Sequence, residues 1–212
     1  MPGNNPIQRF MARQLRMPSG WFGATIVSRI MNRVNKSLIN STIELLQIEP
    51  DLRVLEIGFG GGAALSQIAA RLRTGAVCGV DISPDLVHKA ERKFRKEIAE
   101  GRVRVMSGGI SQLPFSDNAF DRVFTINTIY FWPDPLQGMR EIRRVLRDEG
   151  RAIVSLRSKE TMQNYAVTNY DFHLYLPDDA AALMREAGFR SVQVELRHEG
   201  TLTNEVLVIG MK

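Results

Sequence analysis

A run of glycines directly after a short apolar segment constrains the fold of this chain more than any other feature. Residues 53–57 predict a buried strand, and four of the next five positions, 58–62, are glycine. Apolar residues then recur at helical spacing over positions 63–72. A strand, a glycine turn and a helix in this order present backbone N–H groups to a ligand at the helix N-terminus. The pattern therefore predicts a nucleotide-like binding site in an α/β sheet.

Two acidic residues near this turn are the first candidate binding residues. Glu56 precedes the glycines, and Asp81 ends the next strand-like run at residues 76–81. A carboxylate at a strand end can accept two hydrogen bonds, and bonds to a charged acceptor are the stronger kind. The glycine spacing also satisfies the dinucleotide fingerprint, with Asp81 at about the distance expected for a ribose-binding acid. An NAD(P)-dependent oxidoreductase is therefore one alternative.

The rest of the chain alternates between strand and helix patterns. This alternation favours a parallel sheet, and two final strands across a turn at residues 199–200 require one antiparallel strand. The predicted fold class is α/β: a Rossmann-like, doubly wound, mostly parallel seven-stranded sheet with a C-terminal antiparallel hairpin and an N-terminal helical extension. Strands are expected at residues 53–57, 76–81, 102–106, 120–126, 151–156, 192–196 and 206–211, and a turn at 148–150.

The N-terminal part of the chain follows a different pattern. Residues 1–23 have no clear period and contain several prolines and glycines, so a loose arm is expected. Residues 24–47 carry apolar side chains at helical steps, which predicts one helix. We therefore divide the 212 residues into an arm and helix, 1–47, that cover a substrate, and a binding domain, 48–212.

Composition limits the function classes. The net charge of +5 is a mild excess, and basic residues occur along several helical segments, so nucleic acid is not expected as a partner. The single cysteine, Cys78, lies in an apolar strand pattern, and no spacing of cysteine and histidine predicts a metal site. No apolar run is long enough to span a membrane, and no signal-peptide pattern is present. A cytoplasmic location is expected.

Four ordered motifs carry a family resemblance. They read VLEIGFGGG at residues 54–62, GVDIS at 79–83, LPFSDNAFD at 113–121 and RVLRDEGR at 144–151. In this order and at these spacings they resemble the class I S-adenosylmethionine-dependent methyltransferases, most of all the small-molecule branch with the quinone and sterol C-methyltransferases. The resemblance implies S-adenosyl-L-methionine as cofactor and methyl transfer to the oxygen, nitrogen or carbon atom of a small molecule. A non-catalytic protein that binds this cofactor is a further alternative.

The resemblance also implies roles for individual residues. The glycine loop, with Gly58, Gly60 and Gly62, lets the backbone approach the methionyl part of the cofactor. Glu56 helps to bind the amino group, and Asp81 accepts hydrogen bonds from both ribose hydroxyls. Further cofactor contacts are implied for Ile82, which would pack on the adenine, and for Gly109, Ile110, Asn127 and Thr128.

One departure from the family pattern affects the adenine contact. Family members often carry an acid here that binds the adenine amino group, but this chain reads Gly108-Gly109-Ile110. The backbone N–H of Ile110 is then the expected contact to an adenine nitrogen. The departure concerns one cofactor contact and does not change the predicted fold.

Methyl transfer is an in-line displacement at a sulfonium, so alignment and exclusion of water can supply most of the acceleration. A general base helps if the acceptor is a hydroxyl or a carbon acid. The candidates are His173, Tyr130 and Tyr165. We expect the acceptor to lie between the N-terminal arm and aromatic segments at residues 130–132 and 165–175.

The sequence also predicts which kinds of partner the chain has. The run after strand four, Asn127 to Tyr130, lacks the paired prolines of DNA amino-methyltransferases, so a small molecule remains the main acceptor class. A monomer or a homodimer is expected. The predicted helix over residues 26–46 carries Arg29, Arg33 and Lys36, so it could rest on anionic lipid, beside its ordinary role as a lid or packing helix.

Overall fold

The chain forms one mixed seven-stranded sheet with helices on both faces. A computed structural model describes residues 5–199 and 203–212. The strands are β1 Arg53–Ile57, β2 Ala76–Asp81, β3 Val103–Ser107, β4 Phe120–Ile126, β5 Leu146–Arg157, β6 Ser191–Glu199 and β7 Thr203–Met211. Their order in the sheet is β3-β2-β1-β4-β5-β7-β6, and β7 runs antiparallel to both β5 and β6. The predicted fold class is therefore confirmed.

The central strands bring three loops to one edge of the sheet. Strand β1 pairs in parallel with β2 on one side and β4 on the other, with Ile57 level with Val80 and Thr125. The strand order reverses between β1 and β4, which is the switch point where open α/β sheets bind ligands. The loops that follow β1, β2 and β4 consequently meet at this carboxyl edge.

Helices cover the sheet and extend across its carboxyl edge. The helix over Pro84–Lys93, α5, begins where the sequence predicts, because the Ser83 hydroxyl accepts a hydrogen bond from the Leu86 N–H at 3.3 Å and Pro84 occupies the first helical position. The helices are α1 Pro6–Arg16, α2 Ser28–Val34, α3 Lys36–Leu46, α4 Ala63–Ala69, α5 Pro84–Lys93, α6 Arg95–Ala99, α7 Pro135–Val145, α8 Lys159–Met162 and α9 Pro177–Glu186.

Two apolar layers enclose the sheet. Alternate residues of β1 enter different layers, with Leu55 on the α7 and α9 side and Val54 on the α3, α4 and α5 side. Both side chains are fully buried, as expected for a central parallel strand. In the part of the chain that the structure describes, no helix combines the length and the apolar character needed to cross a membrane.

The expected loose arm is wrong for α1. The Asn5 side chain accepts hydrogen bonds from the N–H groups of Ile7 and Gln8, and Pro6 takes the first helical position. This is a regular helix start, so a polar residue and a proline that suggested a loop instead begin a helix. The first four residues of the predicted arm lie outside the described residues, as do residues 200–202 at the predicted hairpin turn.

The expected single helix over residues 24–47 is also wrong. The chain forms a π-helical segment, Phe22–Val27, and then α2 and α3, which are separated at Asn35. The Asn35 side chain accepts a hydrogen bond from the Asn127 amide at 3.0 Å, so a loop 92 positions away stabilises the break.

The predicted turn at residues 148–150 lies within β5. Strand β5 pairs Leu146 with Phe120 and then Arg151 with Arg122, so the intervening residues form a bulge. Glu149 has a left-handed φ of 61° within this bulge. Its position explains why a turn pattern and a continuous strand coincide here.

Candidate functional site

A cavity of about 290 Å³ lies at the carboxyl edge, at the switch point of the strand order. It is slightly smaller than the roughly 300–1,000 Å³ typical of ligand pockets. The loops after β1, β2, β3 and β4 form most of its wall, and the N-terminal segment closes one side. Eight of the candidate cofactor residues line the cavity: Gly58, Gly60, Asp81, Ile82, Gly109, Ile110, Asn127 and Thr128.

The glycine loop follows β1 and has the geometry that requires glycine. Gly58, Gly60 and Gly62 have φ values of 73°, 52° and 65°. At Gly60 an added Cβ would meet no atom within 4 Å, so the position borders open space. At Gly58 the same atom would come within 2.5 Å of the Thr128 side chain, so close packing also requires glycine there.

Asp81 connects the end of β2 to the glycine loop. Its Oδ1 accepts a hydrogen bond from the Ser83 N–H and its Oδ2 from the Gly60 N–H, each at 2.9 Å. Burial raises the pKa of this carboxyl, while its bonds to backbone N–H groups partly offset the rise. Each oxygen keeps a further lone pair, so the carboxylate can hold the loop and still accept hydrogen bonds from a ligand.

Glu56 is buried beside this loop and does not line the cavity. Its Oε2 has no hydrogen-bond partner. The carboxyl group as a whole lies near the Leu65 N–H, in the first turn of α4. Burial raises the pKa of Glu56 well above its ordinary value, the nearby Asp81 charge adds to the rise, and Lys93 opposes it. A buried carboxylate with a free oxygen is costly unless a donor or a cation completes it.

Gly62 also lies outside the cavity lining. It precedes α4, and an added Cβ would come within 2.9 Å of the Phe94 ring. The Lys93 ammonium donates a hydrogen bond to the Gly62 carbonyl oxygen at 2.9 Å. Packing against α5 therefore accounts for glycine at this position, without a direct contact to the cavity.

The loops after β2 and β3 form an apolar wall. Ile82 is 44% exposed and projects where a ligand could cover it, whereas Ile110 is buried. The Gly109 backbone forms a short bridge with Gln112, and an added Cβ at Gly109 would lie 3.6 Å from Ile82. This part of the wall offers apolar side chains and backbone groups, and its described lining residues after Asp81 include no further carboxylate.

Asn127 and Thr128 follow β4 and are held by several hydrogen bonds. Asn127 has a φ of 56°, and its Oδ1 accepts a bond from the Arg157 N–H at 3.2 Å. The Thr128 hydroxyl accepts a bond from the Trp132 indole N–H at 3.1 Å. These bonds fix the loop, so its cavity-facing atoms are preorganised.

The three candidate general bases do not line the cavity. The Tyr130 hydroxyl is buried, accepts a hydrogen bond from the Arg157 N–H at 2.6 Å, and lies 2.9 Å from the Arg157 carbonyl oxygen. Burial raises the pKa of Tyr130 well above its ordinary value. Tyr165 is exposed, and His173 borders a separate shallow hollow with Asp179.

The N-terminal segment forms one side of the cavity, but its sequence did not indicate which of its residues line the cavity. The Ser83 hydroxyl donates a hydrogen bond to the Pro18 carbonyl oxygen, and the Gly20 N–H donates one to Asp85 at 2.6 Å. The segment is therefore tied to the start of α5. No periodic signal marks its cavity-lining members, which are Leu15, Arg16, Pro18, Ser28 and Met31.

Known proteins with similar sequences carry methyltransferase names. Residues 55–154 match the model of a family described as a methyltransferase domain. The putative methyltransferase YrhH of Bacillus subtilis is 32% identical over 124 residues, which are 58% of this chain and 68% of that protein. The 2-methyl-6-phytyl-1,4-hydroquinone methyltransferase 2 of Oryza sativa subsp. japonica is 39% identical over 101 residues, which are 48% of this chain but 28% of that protein.

A solved structure shares the fold at low sequence identity. It is the putative methyltransferase in a complex with the Haloferax volcanii Trm112 methyltransferase activator. The two chains superimpose with a TM-score of 0.76 at 18% identity, over 90% of this chain and 95% of the other. At this identity the likeness supports the fold alone.

Proposed function

Because the chain belongs to the class I S-adenosylmethionine-dependent methyltransferases, we propose that its carboxyl-edge cavity binds S-adenosylmethionine for methyl transfer to a small-molecule acceptor. One observation carries the proposal. A buried carboxylate, Asp81, and a glycine whose Cβ position is open, Gly60, face the same cavity and are joined by a hydrogen bond.

The residues present fit this cofactor. In the proposed arrangement Asp81 accepts hydrogen bonds from the ribose hydroxyls, and Ile82 packs against the adenine. The backbone of Gly58 and Gly60 lies along the methionyl part. Glu56 attracts the cationic amino group from outside the cavity wall, and a water molecule can bridge the gap. The backbone at Gly109 and Ile110 and the polar groups of Asn127 and Thr128 complete the proposed contacts.

The bound cofactor supplies a methyl group on an activated sulfonium. The chain's own contribution is to align the acceptor and to exclude water. The apolar side chains of Met31, Phe131 and Trp132 line the cavity and are suited to excluding water. Among residues 5–199 and 203–212, the titratable side chains on the cavity wall are Arg16 and Asp81. We therefore propose no role as general base for His173, Tyr130 or Tyr165.

The same wall suggests the kind of acceptor. We propose an apolar molecule with an acidic group that ionises without help from a protein base. The Arg16 guanidinium favours the ionised form of such a group by Coulomb attraction. The hydroquinone named for the rice relative is of this class, because a ring hydroxyl is acidic and the ring is apolar.

We further propose a role for the N-terminal part of the chain, a location in the cell and an oligomeric state. Residues 1–47 act as a cover for the cavity, and the protein is a cytoplasmic monomer or homodimer. The contacts of Pro18 and Gly20 with the start of α5 support a covering role. An NAD(P)-dependent oxidoreductase is not favoured, because the chain belongs to a methyltransferase family.

Isothermal titration calorimetry with the purified chain tests the proposed cofactor. We expect binding of S-adenosylmethionine and S-adenosylhomocysteine and none of NAD or NADP. Binding of NAD without any response to S-adenosylhomocysteine would contradict the proposal. A panel of ring hydroxyl acceptors with labelled cofactor then separates an enzyme from a protein that only binds the cofactor.

A further inference from the structure

The N-terminal segment of this chain, residues 1–43, carries a net positive charge because it contains no acidic residue. The first 43 positions hold six of the 28 basic residues and none of the 23 acidic residues. The rest of the chain is consequently close to neutral, and the net charge of +5 belongs to this segment. Such a separation of charge within one domain indicates a surface for an anionic partner.

Most of the large apolar side chains that are exposed lie in the same segment. Trp21 is 74% exposed and Ile7 is 72% exposed. The rings of Phe10 and Phe22 lie 6.0 Å apart and connect α1 to the π-helical segment. Seven exposed apolar side chains of the described residues fall here: Ile7, Phe10, Met17, Trp21, Phe22, Ile30 and Val34.

The exposed side of α1 combines both kinds of residue. Arg9, Phe10 and Arg13 are exposed, whereas Ala12 and Gln14 are buried against the fold. Basic and apolar side chains therefore share one helix face, which no described part of the chain covers. This combination is typical of helices that lie in the plane of a membrane surface, where apolar groups enter the acyl boundary and arginines stay at the headgroups.

We propose that this basic-apolar surface, defined by Ile7, Arg9, Phe10, Arg13 and Trp21, docks on a bilayer that contains anionic phospholipid. Charge complementarity supports an anionic partner, and the exposed apolar groups support one with a hydrocarbon phase. Each arginine near an anionic leaflet adds to the attraction, and Trp21 is of the type enriched at membrane interfaces.

Two other occupants fit the same observations less well. A second copy of this chain would bring two basic segments together without any acidic residue between them, which is unfavourable. A nucleic acid would satisfy the arginines, but exposed aliphatic groups such as Ile7 and Ile30 gain little from contact with phosphate and sugar. A membrane surface satisfies both sets of side chains.

The docking surface adjoins the cavity. The same segment contributes Leu15 and Pro18 to the cavity wall, so a docked protein holds this wall close to the lipid. An apolar acceptor dissolved in the bilayer would then have a short path to the site. This delivery rests on the proposed function, whereas the docking itself does not.

Flotation of the full-length chain with vesicles tests the proposal. One set of vesicles contains phosphatidylcholine alone, and the other equal parts of phosphatidylcholine and phosphatidylglycerol. We expect binding to the anionic set only, with loss at about 1 M salt, where the Debye length is about 3 Å. Trp21 emission should shift to shorter wavelength on binding, while Trp132, which is 4% exposed, serves as a constant background.

A matched pair of double variants locates the surface. Arg9→Gln with Arg13→Gln should lower partitioning to anionic vesicles by about tenfold or more, because each lost cation removes part of the attraction. Arg71→Gln with Arg73→Gln removes the same charge from exposed positions after α4 and should leave partitioning nearly unchanged. Both variants should bind S-adenosylhomocysteine as the unaltered chain does, so the failure of docking is distinguishable from failure of the proposed function.

Three results would overturn the proposal. One is absence of binding to anionic vesicles. Another is an equal loss of binding in both double variants, which would indicate a diffuse charge effect. The last is burial of Trp21 by a single-stranded oligonucleotide or by dimer formation, detected by fluorescence and light scattering, without any effect of anionic vesicles.

Discussion

At the scale of single residues, Asp81 does two tasks at once. It holds the Gly60 N–H and the Ser83 N–H, and it lines the cavity with lone pairs still available. Its raised pKa reflects burial, so its charge is maintained against a desolvation cost. Such a carboxylate is expected to bind a ligand with more than one hydroxyl group strongly.

The variant Asp81→Asn tests this binding role. It retains one acceptor oxygen but loses the charge, so we expect S-adenosylhomocysteine affinity to fall by about tenfold or more. Hydrogen bonds to a charged group contribute about 1.5–3 kcal/mol each, and about 1.4 kcal/mol corresponds to tenfold in affinity. Asp148→Asn removes a carboxylate with an 86% exposed side chain and serves as the control in calorimetry. An affinity within about twofold of the unaltered chain would exclude Asp81 as the ribose-binding acid.

The variant Gly60→Val tests the open space at the glycine loop. Its side chain would extend into the space beside the cavity, so we expect cofactor binding to be lost. Gly101 is a matched control, because it also has a positive φ, of 75°, and no atom within 4 Å of an added Cβ. Gly101→Val should cost similar stability, about 1–2 kcal/mol from the left-handed backbone, yet bind the cofactor normally. Circular dichroism and calorimetry of both variants give the answer, and normal affinity in folded Gly60→Val would contradict the proposed loop contact.

The sequence predicted local features of the site better than distant contacts. The spacing of Gly58, Gly60 and Asp81 relative to two strands is enough to place them at one edge of a sheet, and they do line one cavity. The environment of Tyr130 could not be predicted, because its partner Arg157 lies 27 positions away at the end of β5. Whether a tyrosine hydroxyl faces a cavity or the protein interior depends on such contacts.

At the scale of elements, features that depend on local sequence were again predicted better than features that depend on distant contacts. The buried strands β1, β2 and β4 were predicted with correct bounds, because their apolar runs carry the information locally. The break between α2 and α3 depends on the bond from Asn127 to Asn35, and the bulge in β5 depends on pairing with β4. Neither cause is visible within the segment that it shapes.

One of the hydrogen bonds that tie the N-terminal segment to the start of α5 can be removed by a single variant. Asp85, at the second position of α5, accepts the hydrogen bond from the Gly20 N–H. We expect Asp85→Ala to speed hydrogen exchange in the π-helical segment Phe22–Val27, because the cover opens more often. Asp178 occupies the same position in α9, so Asp178→Ala loses the same interaction with a helix N-terminus but no contact with the segment. Equal exchange in the two variants would show that Asp85 does not hold the cover.

At the scale of the whole molecule, two buried carboxyls beside the cavity lower the stability of the fold. Glu56 and Asp81 are buried next to each other, and burial raises the pKa of both carboxyls. A carboxyl with a raised pKa in the folded state binds more protons when folded than when unfolded. The free energy of unfolding therefore falls as pH rises above the ordinary value of 4.5 for Glu56. Carboxyls whose pKa is lowered by a neighbouring arginine, such as Glu141, change the free energy of unfolding only at lower pH. They therefore do not mask the pH dependence that Glu56 causes.

The variant Glu56→Gln should separate the stability cost from the binding role. Without ligand, we expect the melting temperature of the unaltered chain to fall between about pH 5 and pH 8, and the variant to show a smaller fall. At the upper end of this range the variant should be more stable, by on the order of 1–3 kcal/mol, because it buries no unpaired charge. Its affinity for S-adenosylhomocysteine should nevertheless fall, since the attraction to the amino group is lost.

Glu205→Gln is the control for affinity, because Glu205 is also buried with one unpartnered oxygen but lies on β7 outside the cavity lining. Thermal unfolding across this pH range, with and without ligand, gives both quantities. A variant with unchanged pH dependence and unchanged affinity would show that Glu56 has neither role.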